Sequence, residues 1–134
     1  KAIREAGISC QGFDGSPRTP EFSDGMCGVK DFSKPQDIGM FDLVVCLEVG
    51  EHIPAKYEQV FIDNICRVSR EYICLSWAIV GQGGTGHVNC RNNGYVINEM
   101  RNRGFVIDWE HTEYLREKST LPWFRNTIMV FEKW

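Results

Sequence analysis

The chain has 134 residues, with 15 Lys+Arg against 18 Asp+Glu, a formal net charge of -3, 43% hydrophobic and 25% charged residues. That length carries one domain with a core of its own, and those proportions exclude wholesale disorder. No block of basic residues gives a footprint for nucleic acid, and no apolar run approaches the ~20 residues that a membrane-spanning helix needs.

The start of the chain shows no signal-peptide pattern. Six cysteines (Cys10, Cys27, Cys46, Cys66, Cys74 and Cys90) include no C-x-x-C pair, and Cys46 and Cys74 sit inside apolar runs. Cysteine in that setting behaves as a small buried hydrophobe, so a reduced, cytoplasmic compartment is expected.

Lys1 to Ala6 reads as the tail of a helix that Gly7 ends, so the chain is expected to begin in mid-element. Ile8 to Phe13 is a short strand closed by the turn cluster Asp14-Gly15-Ser16-Pro17. Arg18 to Gly28 lacks periodicity and reads as a loop with a short helix or strand near Met26 to Val29. Asp31 to Pro35 is a turn. Leu43 to Leu47 is an unbroken apolar run, the pattern of a strand covered on both faces. It empties into Glu48, Glu51 and His52, and the carboxyl ends of strands in an open α/β sheet are where ligands bind.

Tyr57 to Ser69 carries Tyr57, Val60, Phe61, Ile65 and Val68 at helical spacing, with Pro54 at its start. Glu71 to Val80 is a second apolar strand, followed by the glycine-rich Gly81 to Gly86. Asn92 or Asn93 caps a helix running to Asn102 that Gly104 ends. Phe105 to Trp109 is a strand, Thr112 to Leu121 a polar loop, and Asn126 to Lys133 a final strand. Alternating strands and helices predict a mostly parallel sheet; two last strands without a helix between them predict an antiparallel pair, the last inserting beside its predecessors.

This order resembles the class I S-adenosylmethionine-dependent methyltransferases. The resemblance is carried by Gly12-Phe13-Asp14-Gly15-Ser16-Pro17 after a strand, by Asp31-Phe32, and by Phe41-Asp42-Leu43-Val44 leading to Glu48-Val49-Gly50-Glu51-His52-Ile53-Pro54. Arg103-Gly104-Phe105 and the terminal Val130-Phe131-Glu132-Lys133 complete it. It implies a Rossmann-like three-layer α/β sandwich, a mostly parallel sheet with an antiparallel C-terminal strand, in one domain spanning residues 1–134. S-adenosylmethionine is the implied cofactor and a small molecule the implied methyl acceptor.

By the same resemblance Asp14, with Gly15 and Ser16, faces the cofactor ribose; the alternative is an Asp bonding its own turn. Asp31 would accept from the adenine amine and Phe32 line the ring, or the pair forms a plain turn. Leu47 and Glu48 stand where the family meets the methionine end, and Glu48 is otherwise an exposed strand-end carboxylate. His52 is a candidate base or part of a structural elbow. Glu51, His87 and Asn89 are candidate contacts to the acceptor, the alternative for the last two being a flexible connection with a helix cap. Trp77, Trp109 and Trp123 are expected to pack rather than stack on a ligand.

The family's first strand and glycine-rich loop are absent, and in nucleotide-binding units of this kind the ribose acid lies ~20 residues beyond the first glycine of that loop. The central strand is therefore expected to be missing, as in a chain truncated at its N-terminus, with exposed sheet edges open to an oligomeric partner. A non-catalytic Rossmann-like module is the competing reading. A NAD(P)-dependent reductase is another, on Asp14 and the Tyr114-x-x-x-Lys118 spacing. No metal is expected, because His52, His87 and His111 lie far apart in sequence with no pair at ligand spacing.

Overall fold

The structure, a computed structural model, describes residues 2–134. Lys1, the first residue of the expected helix tail, lies outside them. A single helical turn, α1 (Ala2–Glu5), closes at Gly7, whose φ of +79° is a left-handed value that glycine adopts without a Cβ penalty. The first strand, β1 (Gly12–Asp14), is shorter than the expected Ile8 to Phe13. It pairs in parallel with β2 (Cys27–Val29) across the short helix α2 (Thr19–Phe22), which occupies part of the stretch read as a loop.

The remaining strands form a second sheet. β3 (Phe41–Cys46) pairs in parallel with β4 (Ser69–Leu75), joined by α3 (Glu58–Arg67). After α4 (Asn93–Arg101) and β5 (Phe105–Ile107), the chain forms α5 (Trp109–Lys118), a turn α6 (Phe124–Thr127) and β6 (Met129–Lys133). The order is β3-β4-β6-β5, with β6 inserted antiparallel to both neighbours as expected. Among the described residues β1-β2 and β3-β4-β6-β5 are separate sheets, consistent with a missing central strand. Two of the four strand pairings are parallel.

One expectation fails outright: Thr112 to Leu121 is mostly helix, not a loop. Asp108 starts α5 by accepting from the His111 N–H at 3.1 Å. The helix escapes hydrophobic patterning because Thr112 is its one buried residue, and Thr112 serves through its hydroxyl, which accepts from the Val130 N–H at 2.8 Å. A helix nearly polar all round gives no stripe to read.

Phe61, Ile62 and Ile65 of α3 and Val96 and Met100 of α4 pack with Ile73, Leu75, Phe105, Met129, Phe131 and Trp77 in one core. Because side chains alternate along a strand, the face of β3 that packs on this core carries Val44 and Cys46 and the opposite face Leu43 and Val45. That opposite face is uncovered: Leu43 is 53% and Val45 48% exposed. The expectation of a β3 buried on both faces is thereby corrected. Among the described residues, no helix is long and apolar enough to cross a membrane.

Candidate functional site at the carboxyl ends of the strands

Beyond Cys46 the chain leaves β3 through a sharp bend. Glu48 has φ of +54°, left-handed for a residue with a full side chain, a conformation that costs about 1 kcal/mol or more unless the surroundings impose it. Ser76, one residue past β4, imposes it: its hydroxyl accepts from the Glu48 N–H at 2.8 Å and donates to Glu48 Oε1 at 2.9 Å. Gln82 donates to Oε2 at 3.2 Å, fixing the carboxylate from the glycine-rich loop.

The elbow then packs as closely as a backbone can. A Cβ on Gly50 would lie 2.5 Å from the ring of Trp77, which is fully buried and donates from Nε1 to the Asn89 carbonyl at 2.7 Å. The short turn Gly50–His52 points Glu51 inward and leaves His52 exposed. The Glu51 carbonyl accepts from both Val88 N–H (2.9 Å) and Asn89 N–H (3.0 Å), which straps the glycine loop onto the elbow.

That strap brings together residues distant in sequence. His87 Nε2 stands 4.0 Å from Glu51 Oε1, and the rings of His52 and His87 meet edge to face with centroids 5.1 Å apart. Both rings are held by backbone carbonyls: His52 Nδ1 lies 3.0 Å from the Gly86 oxygen and His87 Nδ1 3.2 Å from that of Gln82. Glu51 is 0% exposed, and neither carboxylate oxygen has a hydrogen-bonding partner among the described residues. Burial, and secondarily the charge of Glu48, hold its carboxyl above the ordinary carboxylate range.

The expected cofactor residues sit at the ends of β1 and β2. Asp14 Oδ1 accepts from the Ser16 N–H (2.7 Å), as the turn reading has it, and the side chain is exposed. Asp31 is more fully engaged, with Oδ1 taken by the Ser33 N–H and hydroxyl and Oδ2 3.0 Å from Lys34 Nζ. Phe32 packs against the core and is half-buried. Leu47 is half-buried and Gly15 exposed.

Asn89 does not meet the expectation of an acceptor contact through its side chain. It is buried, and its amide donates to Glu58 Oε2 at 2.7 Å, inside a network in which Arg91 Nε (2.6 Å) and the Tyr95 hydroxyl also donate to Glu58. Sequence reading missed Glu58, Ser76 and Gln82. The signals were present: Ser76 interrupts an apolar run, and Gln82 is the one long polar side chain among the glycines.

Among the described residues all six cysteines are free. Burial pushes the thiols of Cys46 and Cys66 up to about 12 and that of Cys74 to about 11, which leaves them inert as nucleophiles. Tyr114 and Lys118 form an exposed cation–π pair on α5, with 5.7 Å from Nζ to the ring centre.

No protein-family model matches the chain, and no curated protein sequence matches it. Solved structures do. The magnesium protoporphyrin IX methyltransferase from Synechocystis PCC 6803 with bound SAH superposes with a TM-score of 0.72 at 18% identity, covering 99% of this chain and 68% of that one. The 1,6-didemethyltoxoflavin-N1-methyltransferase of Burkholderia thailandensis, with its substrate and S-adenosylhomocysteine bound, gives 0.67 at 12%, covering 98% and 64%. A protein described as a pericyclic reaction enzyme gives 0.66 at 11%, covering 99% and 39%.

Proposed function

We propose that this chain, which has the fold of the class I methyltransferases, binds S-adenosylmethionine across the carboxyl ends of β1 and β3 and serves methyl transfer to a small-molecule acceptor. The observation that carries the reading is Glu48: a non-glycine residue kept left-handed at a strand's carboxyl end, its carboxylate oriented from two sides by Ser76 and Gln82. Backbone strain of this kind persists where a site is over-determined by its surroundings.

In this reading Asp14 Oδ2 takes the ribose hydroxyls, with Gly15 and Ser16 along the sugar. Asp31 and Phe32 border the adenine, Asp31 more weakly because Ser33 and Lys34 already hold its oxygens. Leu47 and Glu48 meet the methionine end. The transfer itself forms a bond from the acceptor's lone pair to the methyl carbon while the sulfur–carbon bond breaks and sulfur keeps its electron pair. Alignment of acceptor and sulfonium supplies most of the acceleration in such a displacement. Two of the solved neighbours with bound SAH carry methyltransferase names, one of them with its small-molecule substrate in place. Six free cysteines favour a cytoplasmic setting.

Calorimetric titration of S-adenosylhomocysteine into the full gene product tests the reading. Binding is expected, with at least a tenfold loss in Asp14→Ala and none of comparable strength for NADP. A folded protein that ignores S-adenosylhomocysteine refutes it.

A further inference from the structure

Two features of the elbow are left unexplained by cofactor binding: a fully buried carboxylate that no donor reaches within hydrogen-bonding distance, and two imidazoles gathered beside it. Removing a carboxylate from water without pairing it is among the costliest arrangements in a fold. The nearest basic group is His87, whose Nε2 stands 4.0 Å from Glu51 Oε1, beyond hydrogen-bonding distance.

We propose that Glu51, His52 and His87 bind a divalent first-row transition-metal ion through one carboxylate oxygen and two Nε2 atoms. The candidate ligand atoms of these residues all lie within 4.8 Å of one another. Around an ion with bonds of ~2.0–2.1 Å, tetrahedral ligand atoms are ~3.3 Å apart. The 4.0 Å gap between His87 Nε2 and Glu51 Oε1 therefore closes with a shift below an ångström.

The protonation pattern fits as well. A carbonyl oxygen only accepts, so the contacts of both Nδ1 atoms to Gly86 and Gln82 place a proton on each Nδ1. In the neutral ring that leaves the Nε2 lone pair free. Imidazoles that ligate metals are held in this way, by a hydrogen bond from the second nitrogen that fixes tautomer and orientation. Two imidazoles and one carboxylate are the donor set of zinc and ferrous sites rather than of magnesium or calcium.

The loop is also shaped around these rings. A Cβ on Gly84 would fall 2.3 Å from His87 Nε2, and Gly86, at φ +78°, would bring one within 3.2 Å of His52 Nδ1. The glycines are there because the imidazoles occupy the room that side chains would take.

The assignment replaces a general-base role for His52, since an imidazole that ligates through Nε2 and donates from Nδ1 has no lone pair left. It also suggests a use. Three protein ligands leave coordination positions open, and an acceptor hydroxyl bound there sheds its proton more readily, as water does on zinc. That step alone rests on the methyl-transfer reading; metal binding does not.

Cobalt(II) is the probe: the full gene product, stripped with chelator and free of S-adenosylmethionine, is titrated with Co²⁺ and followed by visible absorption and calorimetry. One equivalent is expected at micromolar affinity or better, with the weak visible bands of nitrogen and oxygen ligation, displaced by Zn²⁺. Glu51→Gln and His52→Ala should each weaken it at least tenfold; His52 is exposed, so its replacement leaves the fold intact by circular dichroism. Gly84→Ala, which removes no ligand, should weaken it too by displacing His87. Absent binding, equal binding in the Glu51→Gln/His52→Ala double variant, or an intense thiolate-to-cobalt band would each overturn the proposal. The last two would place the ion elsewhere, and the first would leave the three side chains without an ion.

Discussion

The two sheets are held by different physics. Around β3-β4-β6-β5 the core is apolar and closed, with Ile73, Leu75, Trp77, Met129 and Phe131 all fully buried. Among the described residues up to Met40, Thr19 is the only buried side chain, while Ile3, Ile8, Phe22, Val29 and Met40 stand exposed. Polar contacts tie the two parts together: Asn64 of α3 donates to the carbonyls of Phe32 (3.0 Å) and Lys34 (2.7 Å) and accepts from the Gln36 N–H (3.0 Å). The elbow with its histidines thus stands on a rigid floor, whereas Asp14 and Asp31, proposed above for the ribose and adenine, stand on a wall with little core behind it.

The largest test of that contrast compares Leu75→Ala with Phe22→Ala by chemical denaturation. Leu75 is fully buried, so its truncation should cost about 3 kcal/mol or more. Phe22 is 70% exposed, and its truncation should fall within about 0.5 kcal/mol of neutral. A Phe22→Ala loss comparable to that of Leu75→Ala would mean that both sheets share one packed core.

The next effect lies inside the rigid part and is electrostatic. Glu58 is buried and accepts from Asn89, Arg91 and Tyr95, which pins the segment after the glycine loop onto α3. Burial alone would raise its carboxyl; the three donors together outweigh that and hold it below its ordinary value. Glu58→Ala leaves Arg91 and Asn89 unpaired and should cost about 2–3 kcal/mol. A group with a lowered folded value stabilises the fold fully above its unfolded value of about 4.3 and loses that contribution as pH falls through the lower, folded one. The gap between wild type and Glu58→Gln should therefore narrow below about pH 4.3. A constant gap down to pH 2 would show that the network works by shape rather than by charge.

The same contrast explains what could be read from the sequence. The rigid part was legible because burial writes itself as hydrophobic pattern: α3 and α4 lie within the segments their apolar residues marked, and β3 and β4 overlap theirs, β4 starting two residues early and ending at Leu75. α5 was not, because its anchor is one hydroxyl, and neither was the exposure of Leu43 and Val45, since an apolar run records only a capacity for burial. The site was half legible. Glu48, Glu51 and His52 announced themselves as polar residues ending an apolar strand. The meeting of His52 with His87 did not, because it depends on Val88 and Asn89 bonding the Glu51 carbonyl, a backbone contact with no compositional signature. Spacing rules for metal ligands see pairs on one element, and these two histidines belong to different loops.

A small expected change in stability concerns Glu48, where the rigid floor meets the open wall. Asparagine tolerates the left-handed region better than glutamate, so Glu48→Asn relieves part of the strain at φ +54° while weakening the contacts to Ser76 and Gln82. These effects oppose each other, and stability should stay within about 1 kcal/mol of wild type. Binding of S-adenosylhomocysteine should nevertheless fall at least tenfold, because a neutral, shorter side chain no longer presents an anchored charge at the end of β3. Retained binding would remove Glu48 from the cofactor site. A stability loss above about 2 kcal/mol would instead make its carboxylate a structural clamp between β3 and β4, and the strained backbone would then need no ligand to explain it.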